Sequence, residues 1–282
     1  MGATFTTICE QVRNCDSQEP HCKTLRAYRE SVNHPDVRTP LLCDGNSDAR
    51  IAFIGALGGE ITFHEPGEAA YEYIRCSKTD YSLGWQSGLN LAKLLHRVYL
   101  RAPSLVRCSI GDLHGPLDPA RVHLRDPVAV DSFLRCFFSP QVMAVHRTNL
   151  LKCHGPAAYK EGTRGFREAA TVCATRHLAH ELAALRPAVV VPLGNPATQF
   201  FVSWVGLPRP SDVRGWLGLP REQRRVVLPA VDVETIVNPF FHPSPLGWAN
   251  SSDVDRDTFV RDIVWALGAE AQPKTLRRRP GA

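Results

Sequence analysis

Apolar and polar positions along the chain follow two periods in turn. "ARIAFIGALGGE" (49–60) is an unbroken apolar run entering a glycine-rich turn, the pattern of a buried strand. "SGLNLAKLLHRVYL" (87–100) repeats its leucines at helical spacing. "QVMAVHRTNLLKC" (141–153) reads as a second strand ending in a polar loop, and "AVVVPLG" (188–194) as a third, fully buried one. Between them "FREAATVCATRHLAHELAALRP" (166–187) is amphipathic with a helical period and is stopped by Pro187. "NPATQFFVSWVG" (195–206) opens on an Asn-Pro helix-entry signal. "RRVVLPAV" (224–231) and "ETIVNPFFHP" (234–243) close the sheet region, and "SDVDRDTFVRDIVWALG" (252–268) is a last helix with Ser and Asp available to cap it. "CKTLRAYRESV" (22–32) predicts a short helix inside an otherwise polar N-terminal segment, whereas 101–141 reads as irregular and proline-dotted.

Strands alternate with helices, so the expected fold class is α/β: a three-layer αβα sandwich around a central, mainly parallel sheet covered on both faces. In such sheets ligands bind beyond the carboxyl ends of the strands. Three loops fall there: "GALGGE", "RTNLLKC" and "HPSPLGWAN". The organisation expected is one domain over 1–270. It carries an N-terminal cysteine-bearing segment at 1–45 and an insertion at 101–141, and a basic tail at 271–282 is expected to be disordered.

The 282 residues carry 33 Lys and Arg against 28 Asp and Glu, a net charge of +5. That permits a polyanionic partner but does not require one. No apolar run has the length of a membrane span and no leader pattern opens the chain; a cytoplasmic monomer is the expectation. Nine cysteines are many for a reducing compartment, and the odd count argues against a complete disulfide framework. Some are expected to be metal ligands and others buried, with Cys43, Cys76, Cys108 and Cys136 read as structural.

The blocks "LCDGNSDARIAFIGALGGE", "GWQSGLNLAKLLHR", "VHRTNLLKC", "LRPAVVVPLG" and "HPSPL" occur in an order that resembles the uracil-DNA glycosylase superfamily, most of all its iron–sulfur branches, families four and five. "CKTLRAYRE" also resembles the segment around an N-terminal cluster cysteine of family five, so the resemblance covers roughly residues 15 to 268. It implies a four-stranded parallel sheet between helices and a [4Fe–4S] cluster held by four cysteines, here Cys15, Cys22, Cys153 and Cys173. The family's N-terminal pair has a C-x2-C spacing; this chain has C-x6-C, so Cys9 stands as the alternative to Cys15.

The chemistry of such an enzyme follows from its substrate. A base inside a duplex is reached only by flipping it out, and an apolar wedge can hold the vacated space. Leu246 matches the family's wedge position, with Trp248 close behind. Breaking the glycosidic bond leaves negative charge on the departing base, which a hydrogen-bond donor stabilises; His242 of "HPSPL" matches the position for this task. Asn149 of "RTNLLKC" matches the family-four residue that faces the pyrimidine edge, its amide offering donor and acceptor side by side. Gly55 and Ala56 belong to the first motif and complete the expected base-binding set.

Two departures stand out. Where family four has a Glu after the first glycine, this chain has Ala56, as family five also lacks the carboxylate; Glu60, His64, Glu65 and Glu68 are the substitutes for handling water, Glu60 foremost. The family's aromatic pocket wall falls near Ser82, leaving Tyr81 or Trp85 to supply the ring. The long segments 61–83 and 101–141 suggest a reshaped pocket. The expected function is a monofunctional DNA glycosylase, since no motif places a lysine as a Schiff-base nucleophile. It would excise uracil-like or modified pyrimidines in repair, or a bulky phage-type base in antiviral defence. A catalytically weak DNA-binding relative is the rival reading. Arg147, Lys152, Lys160, Arg164 and Arg167 are the candidate phosphate contacts.

Overall fold

The computed structural model describes residues 5–31, 44–45, 48–57, 85–123, 126–139, 141–142, 145–153, 155–206, 210, 212–228 and 232–269. Six strands form one sheet: β1 (Asp44–Gly45), β2 (Ile51–Leu57), β3 (Val145–Leu151), β4 (Val189–Pro192), β5 (Arg225–Leu228) and β6 (Val233–Val237), in the order β1-β3-β2-β4-β6-β5. The four inner strands β3, β2, β4 and β6 are parallel. The edges are antiparallel: β1 on β3 and β5 on β6. The expected four-stranded parallel sheet is therefore the centre of a larger one.

Alternation along β2 divides the core. Ile51 and Phe53 face a layer made by α3 (Trp85–Arg101), α5 (Pro127–Phe137) and α11 (Asp253–Ala269). Ala52, Ile54 and Ala56 face the opposite layer, where α6 (Arg164–Cys173) and α8 (Gly194–Trp204) lie. Small residues on both sides of that second contact, Ala52 and Ala56 against Ala169, Ala170 and Ala197, let backbone approach backbone.

The region 101–141 is not irregular. It contains α4 (Ile110–His114) and α5, each with its own cap. Ser109 and Asp112 make a reciprocal capping box at α4, and the Asp126 carboxylate accepts from the Ala129 amide at α5. What looked like broken apolar spacing is the buried stripe of α5, whose Phe137 stacks on Tyr99 of α3 and on Phe133. The insertion is thus part of the core. The N-terminal segment holds two helices, α1 (Phe5–Arg13) and α2 (Pro20–Ser31), of which only the second was legible from spacing.

α6 does not end at Cys173. It runs through a π-helical turn at Ala174–Leu178 into α7 (Ala179–Leu185), and Arg186 closes it in the left-handed region at φ 48°. Pro187 follows that cap, as its lack of an amide donor favours. The short α9 (Val213–Leu217) and α10 (Pro245–Asn250) complete the helices among the described residues, and none of the helices is long and apolar enough to cross a membrane.

The sheet's β5–β6 edge is tied to α11 by buried charge. Arg224 donates to the Asp262 carboxylate at 2.9 Å and to the Asn238 side-chain oxygen at 2.6 Å, while Arg221 reaches the other Asp262 oxygen at 2.7 Å. Removing one partner of such a pair strands the other charge. Asp262→Ala should therefore cost about 3–5 kcal/mol, read as a lowered urea midpoint, whereas Val254→Ala on the exposed face of α11 should leave the midpoint unchanged within error.

Candidate functional site

The carboxyl ends of the parallel strands bring together residues far apart in sequence. Gly55 of β2 is in register with Asn149 of β3. A Cβ at Gly55 would lie 2.2 Å from the Asn149 side-chain oxygen; only glycine leaves room for that amide. One strand over, the Leu193 amide donates to the Ile54 carbonyl at 2.8 Å and the Gly194 amide to the Phe240 carbonyl at 2.7 Å. Gly194, at φ +81°, packs against His242. The order Asn149, Gly55, Gly194, His242 is therefore dictated by the strand order and its hydrogen bonds.

His242 is part-buried, and burial lowers its pKa. Its Nδ1 accepts from the Ser244 amide at 3.2 Å. A neutral imidazole with Nδ1 accepting carries its proton on Nε2, so the group is a fixed Nε2–H donor. The loop that carries it is held from both sides. Asn90 on α3, absent from the sequence-based set, donates to the Pro243 carbonyl at 2.9 Å. Gly247 sits so close to the His242 carbonyl that a Cβ would approach it to 2.0 Å. Ser244 caps α10, accepting from the Gly247 amide. Arg256 of α11 donates to the Trp248 carbonyl at 2.7 Å and lies 4.2 Å over the Trp248 ring. Trp248 is consequently anchored inward, and Leu246 alone of the pair projects, 74% exposed.

Three expectations are corrected. The Ala56 methyl belongs to the core on the face opposite Asn149, because neighbouring strand residues point to opposite sides. Arg147 and Lys152 are 4% and 1% exposed, so neither reaches a DNA phosphate; Arg147 lies 4.2 Å over the Phe138 ring. Cys136, read as structural, is exposed. Lys160, Arg164 and Arg167 are exposed, and Arg164 pairs with Glu168 at 2.7 Å. Glu60, His64, Glu65, Glu68, Tyr81, Ser82, Cys43, Cys76 and the tail 271–282 lie outside the described residues, as do the side chains of Cys9 and Trp85.

A second location gathers sulfur. Cys15 and Cys22, Cys153 after β3, and Cys173 at the end of α6 line one cavity together with Arg26, Arg29, Lys152 and His177. The N-terminal helices are docked there by shape. A Cβ at Gly155 would come within 2.5 Å of Leu25 on α2. His21 on the same helix is 3.1 Å from the Tyr159 hydroxyl and from the Glu168 carboxylate. Among the described residues no three His, Cys, Asp or Glu side chains close on a single metal-ion position. The four thiols line the same cavity. Arg29 lines it with Nε and Nη1 buried and without acceptors, which suits an anionic, sulfur-rich occupant. Burial pushes the Cys153 thiol up to about 11 and Cys173 higher still, with the neighbouring cysteines adding to both; iron binding would displace those protons.

A family model for the uracil DNA glycosylase superfamily matches residues 44–268. The chain belongs to that superfamily. Members of the superfamily are DNA glycosylases. No curated protein matches the chain. In this glycosylase fold the match begins at β1, so α1, α2 and the first two cavity cysteines precede it.

Two outcomes follow from the geometry. Gly55→Ala should fold but displace the Asn149 amide, with an overpacking cost of about 1–3 kcal/mol; a crystal structure of the variant checks the displacement. The second concerns pH. Burial lowers the folded-state pKa of His146, His177 (to about 4), His96 and His242. An unfolded histidine titrates near about 6.5. The unfolded chain thus binds protons that the folded chain refuses. Stability should be full above about pH 6.5 and fall steadily toward pH 4, seen as a declining urea midpoint.

Proposed function

We propose that the protein is a monofunctional DNA glycosylase of the iron–sulfur type, resembling families four and five, that hydrolyses the N-glycosidic bond of a flipped-out uracil-like or modified pyrimidine. The observation that carries this reading is the Nε2–H donor of His242 at the same carboxyl ends of the parallel strands as the Gly55–Asn149 pair. An amide offers a pyrimidine edge both a donor and an acceptor. A donor aimed at the base stabilises the anion that departs, and a neutral imidazole supplies it without costing a buried charge. Leu246, projecting from the helix that follows His242, supports a wedge role in the vacated base stack. Lys160, Arg164 and Arg167 are available to phosphates. Lys152 is buried against Glu181 and is not available as a nucleophile, in keeping with hydrolysis rather than strand scission. A monomeric cytoplasmic enzyme with DNA as its partner fits this reading.

The cysteine cavity supports a [4Fe–4S] cluster held by Cys15, Cys22, Cys153 and Cys173, with Arg29 facing it. When bound, the cluster would act as a structural cross-link joining the N-terminal helices, the end of β3 and α6. Nothing in base cleavage is routed through it. Anaerobically purified protein should be brown and contain about four iron and four sulfide per chain, and Cys153→Ala should lose most of both.

A bulky phage-type base, and with it a defence role, draws less support than the sequence suggested. The segment 101–141 contributes residues to the core, and 61–83, with Ser82 at the position of the smaller wall residue, lies outside the described residues. A base-excision panel decides: duplexes carrying uracil, hypoxanthine, hydroxymethylated bases or glucosylated cytosine, followed by alkali. Excision of at least one modified or deaminated pyrimidine is expected, and His242→Ala should lower kcat by about 10²–10³. DNA binding with no excision from any duplex would replace the enzyme with a DNA-binding relative.

A further inference from the structure

We propose that the buried pair Glu181–Lys152 is a positioning device that sets the register of β3 and, through it, the pose of the Asn149 amide. The proposal rests on the glycosylase reading for its consequence and on the packing of β3 for its mechanism.

The two faces of β3 carry different jobs. Asn149 lies on the face toward α3 and α5, against Gly55. His146 and Thr148 lie on the opposite face, and Lys152 follows the strand's last residue. All three converge on one carboxylate. Lys152 Nζ is 2.7 Å from Glu181 Oε1 and also donates to the Thr148 hydroxyl. That hydroxyl donates to Glu181 Oε2 at 2.8 Å, and His146 Nε2 stands 3.4 Å from the same oxygen. Lys152 is 1% exposed and Glu181 is 0% exposed. Burial alone would raise the Glu181 carboxyl; the Lys152 ammonium and His146 outweigh it and hold it below the usual carboxylate range. A packed strand held at both ends of one face cannot slide or roll without stranding a buried charge.

Lys152 also reaches the cysteine cavity. Its amide donates to Cys173 Sγ at 3.4 Å. Cys173 and Glu181 are eight residues apart on one continuous helix. At about 100° per residue a regular α-helix would set them about 80° apart. The π-helical turn at Ala174–Leu178 absorbs one residue, so the spacing behaves as seven and the two side chains come within about 20° of alignment. That turn is what lets one lysine touch both groups, its amide the thiol and its ammonium the carboxylate. The strand end is thereby pinned between the cavity on one side and Asn149 on the other.

The test replaces both charges together, Lys152→Met with Glu181→Leu, so that neither is left buried alone; Thr148→Val, which removes one hydrogen bond to the carboxylate and leaves both charges paired, is the milder companion. Excision of the base that wild type prefers should fall about 10- to 100-fold in kcat, the effect of an ångström-scale misplacement. KM for the duplex should stay within about threefold, as phosphate contacts are untouched. In an Asn149→Ala background the same substitutions should change kcat by less than about twofold, because the amide they position is gone. An equal loss in both backgrounds, or none in either, overturns the proposal.

A readout free of catalysis runs alongside. Amide hydrogen exchange over 145–151 should quicken in the variants while 189–192 of β4 stays protected; unchanged exchange at 145–151 overturns the proposal. If wild type excises no base, the functional reading fails by itself. The exchange measurement then still decides whether this pair holds the strand.

Discussion

A single buried carboxylate organises the centre of this protein. Glu181 satisfies a lysine, a threonine and a histidine from one strand, and each of them would be costly to bury without it. The lysine is the reason the carboxylate stays ionised in a dry site. The arrangement stabilises less than its Coulomb attraction implies, because both ions gave up water. What it confers is uniqueness: β3 has one register in which three polar side chains meet one acceptor. The face of β3 that reads as chemistry, Asn149 against Gly55, inherits its position from the face that reads as core.

The same logic recurs at the other motif. His242 sits on a loop whose carbonyls and amides are individually held, by Asn90 through Pro243, by Ser244 through the ring nitrogen, and by Arg256 through Trp248. Glycine at 247 admits the histidine carbonyl where a Cβ would collide, and glycine at 194 takes a φ of +81° with a Cβ position 3.1 Å from that of His242. The loop is therefore rigid in its backbone and directional in its side chain, with the imidazole tautomer determined by one amide. Leu246, by contrast, is left in solvent by the turn that packs Trp248 partly against the core.

The cavity formed by the N-terminal helices differs in kind from the site at the strand ends. It brings together thiols from four chain positions spanning most of the fold, and a buried arginine with unpartnered donors faces into it. α1 packs against α7 and the π-helical turn, and α2 against α6 with the Leu25–Gly155 and His21–Tyr159 contacts beside it. A group filling that space would join the start of the chain to the end of β3. The binding free energy of such a group would then be folding free energy for the N-terminal segment.

Much of this was legible in the linear chain. The period-two and period-3.6 runs specify the inner strands and principal helices because burial enforces those periods locally. The motif blocks carry Asn149, His242 and Leu246 with Cys22 and Cys153, since each residue type is tied to its neighbours in sequence, whereas Cys15 and Cys173 lie outside the blocks and spacing leaves Cys9 as the alternative to Cys15. Three things depended on the tertiary structure. The insertion 101–141 hides its helix behind prolines, and only its partner Tyr99 reveals the buried stripe. Lys152 looks like a phosphate contact until Glu181, 29 positions along the chain, is seen to cover it. Asn90 carries no motif at all, because its role is to hold a carbonyl more than 150 residues away. Sequence by itself determined which segments are strand, helix and motif, because those are local consequences of backbone geometry and side-chain type. Which charged groups meet solvent and which meet each other was decided only by the fold, because a buried ion is defined by a partner the sequence does not place beside it.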